Sequence, residues 1–134
     1  MKIHIDSGAI EFPAGVIAPI MSLAQFLSTP IGKSASRSLA NAQWQQFAIE
    51  PEPDIGATVV FEDDAIDRVI LAMRLQSESG QDWSESVEHE RKRHHDAWLS
   101  AQLGEPPYRY AWGEVESDYD SKGCASAIII GYGR

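Results

Sequence analysis

Apolar and polar residues alternate at the start of the chain, with Ile3 and Ile5, then Ile10 and Phe12, on either side of Ser7-Gly8. A period of two interrupted by a turn-forming pair predicts a short hairpin over residues 2–13. A helix start follows. Ser22 and Gln25 form an S-x-x-Q capping box, Met21 and Phe26 occupy the two positions of a hydrophobic staple, and Leu23, Phe26 and Leu27 make the apolar face. Pro30 and Gly32 are expected to end this short helix. Residues 32–43 are small and polar and read as a loop.

Trp44–Ile49 reads as a strand, followed by Glu50-Pro51-Glu52-Pro53-Asp54 as an acidic, proline-stiffened connection. Ile55–Phe61 and Ala65–Leu75 flank a hairpin turn at Glu62-Asp63-Asp64. In the second run Val69, Leu71, Met73 and Leu75 alternate with Ile70, Ala72 and Arg74, which favours a strand. Ile66, Val69, Ile70 and Met73 also fit a 3.6-residue period, so helix stays open there.

After a polar linker at 76–81 comes the clearest helix, about 83–103. Asp82 and Glu85 make its capping box, Gly104 supplies a left-handed stop, and Pro106-Pro107 forbid continuation. Trp83, Val87, His94, Trp98 and Ala101 form its apolar stripe, widened by Leu99 and Leu103, with Glu88 and Lys92 at i, i+4 on the solvent side. Tyr108–Val115 and Ala125–Tyr132 are the last strands, joined by a loop over Glu116–Gly123. The order β-β-α-β-β-β-α-β-β predicts a single α+β domain over 1–134, an antiparallel sheet with one short and one long helix packed on it.

Charge narrows the function. The 134 residues hold 20 Asp+Glu against 11 Lys+Arg, a formal net charge of −9. Such a surplus argues against nucleic acid or an anionic membrane as partner, since both need a positive field. No run approaches the roughly 18 apolar residues of a membrane span. The first residues lack a secretory pattern, so a cytoplasmic location is expected. The surplus is uneven: residues 1–67 carry 9 acids and 3 bases, and residues 68–134 carry 11 and 8. Acids cluster at Glu50, Glu52 and Asp54, at Glu62–Asp67, and at Glu114–Asp120. These clusters suit a basic protein partner, with Asp63, Asp64, Glu116, Asp118 and Asp120 as candidate contacts.

Motifs for chemistry are sparse. His89-Glu90 with His94 misses H-E-x-x-H by one residue, which turns the two rings apart, and three basic neighbours repel a cation. A solvated face with His94 against Trp98 explains the same letters, and no metal is expected. Asp118-Tyr119-Asp120-Ser121-Lys122-Gly123 begins like a calcium loop but carries Lys122 at a ligand position and Ile129 where the bidentate glutamate belongs. A hairpin turn with Gly123 at positive φ accounts for it. Gly32-Lys33-Ser34 lacks the upstream glycine of a phosphate loop. Cys124, the single cysteine, reads as a small buried thiol. No cofactor is expected. Trp44, Trp83, Trp98 and Trp112 read as core or interface, and Gly113 inside a strand suggests a bulge or a close backbone approach.

The succession His95-Asp96-x-Trp98-Leu99-x-x-x-Leu103-Gly104, Trp112-Gly113-x-Val115-x-Ser117-x-Tyr119-Asp120-x-Lys122-Gly123 and Ile128-Ile129-Ile130-x-Tyr132 resembles small uncharacterised bacterial proteins, some associated with polymorphic-toxin immunity. The resemblance covers about residues 83–132. It implies a protein-binding role and assigns no catalytic residue. Two alternatives stand beside a non-enzymatic binding domain. One is a small hydrolase or ligand-binding domain with a helix–sheet pocket, in which His94, Asp96, Tyr119 and Asp120 are the candidate groups and Trp98 and Trp112 the walls. The other is a homodimer joined through an exposed strand edge.

Overall fold

A computed structural model describes residues 1–75 and 84–133. Three short strands, β1 (Lys2–Ile3), β2 (Ile10–Phe12) and β3 (Gly15–Ile17), make a small antiparallel sheet. Two helices, α1 (Leu23–Ser28) and α2 (Pro30–Lys33), lead into β4 (Ser36–Ala40), β5 (Trp44–Glu52), β6 (Ile55–Glu62) and β7 (Ala65–Met73). Helix α3 (Glu85–Leu103) precedes β8 (Tyr108–Tyr110), β9 (Gly113–Asp120) and β10 (Ala125–Tyr132). The last seven strands form one sheet in the order β4-β5-β6-β7-β10-β9-β8. Every neighbouring pair is antiparallel. The chain is therefore α+β, as its periodicity predicts, and 65–73 is strand.

One face of this sheet is the core. Phe47, Val59, Phe61, Val69, Leu71, Ile128 and Ile130 point into it and meet Phe26 of α1, Ile31 of α2, Leu99 of α3 and Ile10 and Ile17 of the small sheet. Phe26, Phe47 and Phe61 pack with ring centroids 5.3–6.0 Å apart. Ser22 closes the expected capping box with Gln25, and its strand bridge to Ala65 ties α1 to β7.

Several local expectations are corrected. Pro30 does not simply stop α1. Thr29 caps both helices, and Pro30 opens α2, where its missing N–H is no loss. Residues 36–40, expected as loop, form β4, an edge strand exposed at every position and so without apolar alternation. β5 runs past Ile49 to Glu52 because a bulge accommodates Pro51, which has no N–H for the ladder. The expected loop 116–123 is largely strand, with β9 continuing to Asp120. Positive φ falls on Cys124 (φ 48) rather than Gly123, and the thiol is only half-buried. Gly113 makes the expected close approach, since a Cβ there would overlap the Gly131 carbonyl.

The largest correction lies on α3. Its N-cap is Ser84, whose hydroxyl accepts from Val87 N–H; Asp82, Trp83 and the 76–81 linker lie outside the described residues. The buried stripe is Glu88, Arg91, His95 and Leu99, whereas His94 and Ala101 are exposed. Glu88 is thus not a solvent-side partner of Lys92, which pairs with Asp96 instead at 2.8 Å.

Strand pairing explains this polar stripe. The β7–β10 ladder ends at Leu71↔Ile128, and the next residues in register that would face each other through a further hydrogen-bonded pair are Met73 and Ser126. Side chains of α3 serve the backbone groups there. His95 Nε2 accepts from Met73 N–H at 3.0 Å, the Arg91 guanidinium donates to the Met73 carbonyl, and Glu88 Oε1 accepts from Ser126 N–H at 2.9 Å. Arg91 Nε also donates to Glu88 at 3.1 Å, closing the network. Burial, then the nearby Arg91 charge, lower the His95 pKa to about 4, so the ring is held neutral.

Candidate functional site

Strand alternation sends every second residue to the face opposite the core. The register arranges them in rows. Leu39, Gln46, Val60, Arg68, Gly131, Glu114 and Arg109 stand side by side across all seven strands. The next row is Ser36, Ala48, Thr58, Ile70, Ile129 and Glu116. Beyond it Gly56 faces Ala72, and Ala127 faces Asp118; Ala125 faces Asp120.

The middle of this face is therefore smooth and mostly apolar, built from Ile70, Ala72, Ala127 and Ile129. It is bordered on β9 by a straight column of carboxylates: Glu114, Glu116, Asp118 and Asp120. Gly131 leaves a trough where a side chain would stand, because a Cβ there would meet nothing within 4 Å. The resulting groove of about 530 Å³ is lined by Arg68, Arg109, Glu114, Glu116 and Ile129 among others. Its two cations are already engaged, Arg68 with Asp67 at 2.7 Å and Arg109 with Glu114 at 3.9 Å.

The other side of β9 faces α3. Tyr119 packs against His89 with ring centroids 4.4 Å apart and the ring planes tilted by 32°. Desolvation, then Cys124 and Glu85, push the Tyr119 phenol up. At Asp96 burial pushes the carboxyl up, but the Lys92 ammonium and the Ser117 hydroxyl outweigh it and hold it below the usual carboxylate range.

Of the residues singled out from sequence, Glu116, Asp118 and Asp120 share one face of β9. Asp63 and Asp64 do not join them. They sit in the β6–β7 turn at the opposite end of the sheet, and the seven strand steps from Ala65 to Ala72, in the row of Asp118, span on the order of 20 Å. The turn is pinned by its backbone, Asp63 N–H donating to the Gln43 carbonyl and the Asp64 carbonyl accepting from Leu23 N–H.

The pocket set divides three ways. His94 and Trp98 line a cavity with Met1, Glu52 and Arg74. Trp112 packs on Tyr110 and Tyr132, and its indole N–H donates to the Ile5 carbonyl at 2.7 Å. Tyr119 stands with His89. Asp96 lines a separate cleft with Lys92 and Ser117, and Asp120 is exposed at the end of β9.

Arg68, Ile129 and Gly131 belong to the open face and are not candidates from sequence, and Glu114, there only a member of the acidic cluster, joins the named contacts. The acids at every second position from 114 to 120 carry the signal, which is hidden once 116–123 is taken as loop. Among the described residues, no group of three or more His, Cys, Asp or Glu side chains is placed to hold a metal ion. No helix there is long and apolar enough to cross a membrane. The chain matches no family model, no curated protein and no solved structure.

Proposed function

We propose that this chain is a protein-binding domain that takes a basic partner on the β9 side of its open sheet face. The observation that carries the reading is the column Glu114, Glu116, Asp118 and Asp120 standing beside an apolar floor. Charge steers the encounter, and the floor offers area to bury once the partner has arrived. The net charge of −9 adds a long-range field of the same sign. The resemblance of residues 83–132 to immunity-associated bacterial proteins makes a toxin one class of such partner, the domain acting by covering the toxin's surface rather than by catalysis.

The test is capture of a partner at low salt from the cells that make the protein, followed by association kinetics. Combined reversal at Glu116→Lys, Asp118→Lys and Asp120→Lys is expected to slow association about tenfold or more. Reversal at Asp63→Lys and Asp64→Lys, at the other end of the sheet, leaves the rate within about twofold. Failure to recover any partner, or equal rates for the two reversals, overturns the reading.

A further inference from the structure

The edge of the sheet beside this column is incomplete. β8 pairs with β9 only at Tyr108↔Val115, Arg109↔Glu114 and Tyr110↔Gly113. Continuing that register sets Pro107 against Glu116 and Pro106 against Ser117. Neither proline has an N–H to give a ladder, so β8 cannot extend. Among the described residues, Glu116–Asp120 consequently has β10 on one side and no strand on the other. Where β8 stops, a cleft of about 420 Å³ opens beside this edge, lined by Lys92, Asp96, Pro106, Pro107, Glu116 and Ser117.

We infer that a basic, extended peptide segment of the partner docks here as an additional strand on the outer edge of β9. This rests on the proposed binding of a basic protein and specifies how it is bound. A bare edge offers backbone donors and acceptors to any extended chain, and side chains then select among chains. Alternation sets the selection. One face of the incoming strand lies beside Glu116, Asp118 and Asp120 and favours lysine or arginine at every second position. Its other face meets Ser117 and the Tyr119–His89 pair under α3, where small polar or aliphatic residues fit. A second copy of this chain is a poor occupant, since two β9 edges would set carboxylates against carboxylates.

The probe is a synthetic peptide alternating lysine with threonine, its binding followed by fluorescence anisotropy, together with two variants. One variant carries N-methyl groups on every lysine amide and the other on every threonine amide. Strand addition predicts that one of the two loses about tenfold or more in affinity while the other stays within about twofold of the parent, because only alternate N–H groups face β9. Changing the peptide leaves the folding of the protein untouched.

If both methylated peptides bind like the parent, or if the parent does not bind, strand addition is overturned. The broader reading is judged separately, by whether the triple reversal on β9 slows the whole partner. A parent peptide that loses binding with that reversal yet tolerates methylation in both registers would leave charge recognition standing without the strand.

Discussion

His95 has no exposed surface, and its ring accepts a hydrogen bond from the Met73 amide. Because its pKa is lowered to about 4 in the folded chain, the unfolded chain takes up the proton first as pH falls. The stabilisation is complete above about pH 6.5 and is lost as pH drops through about 4, a difference on the order of 3 kcal/mol. Urea denaturation at stepped pH, comparing the wild type with His95→Gln, measures it. The gap between the two proteins should change over that window, because glutamine can accept the same bond without titrating. The neighbouring pair gives a second prediction. Glu88→Ala leaves Arg91 buried without its carboxylate and Ser126 N–H without an acceptor, and should cost about 3–5 kcal/mol of stability. A double change to Glu88→Leu with Arg91→Met should not recover this, since the Met73 carbonyl and the Ser126 amide then both lack partners.

At the scale of elements, two glycines one row apart on the neighbouring strands β9 and β10 are under opposite constraints. Gly113 begins β9 at φ 152, and a side chain there would run into the Gly131 backbone. Gly113→Ala is expected to destabilise by about 2 kcal/mol or more in thermal or chemical unfolding. Gly131→Ala meets open space and should change stability by less than about 1 kcal/mol, while filling the trough between Arg68 and Glu114. Reduced affinity for the captured partner with unchanged unfolding would assign that trough to the interface. Most elements were legible from period and turn chemistry: the Ser22–Gln25 box, the Glu62–Asp64 hairpin, and Gly104 as the end of α3 at φ 86. β4 was not, because an edge strand exposed on both faces needs no apolar alternation. The strand character of 116–120 was masked by its polarity: only Ser117 and Tyr119 turn toward α3, and neither is an aliphatic marker.

For the whole molecule, the net charge of −9 predicts a salt-dependent encounter. The association rate of the captured partner should fall about tenfold between roughly 0.05 and 0.5 M NaCl, as screening shortens the reach of the field, with a weaker change in dissociation. Stopped-flow or surface-based kinetics across that range check it, and a flat profile would detach the acidic column from binding. The sequence by itself determined the α+β class, the stop of α3 at Gly104 and the sign of the net charge, because these follow from local period, backbone restriction and summed charge; between strand and helix at 65–73 it left the choice open. It also supplied the acids in advance, but with Glu116, Asp118 and Asp120 as loop residues. Only the tertiary structure decided which of them stand together, since strand register brings Glu114–Asp120 into one column and leaves Asp63 and Asp64 at the far end of the sheet. It decided the buried face of α3 as well. The helix turns Glu88, Arg91 and His95 inward because two strands part above them and leave backbone groups to be met, and no single-helix periodicity contains that demand.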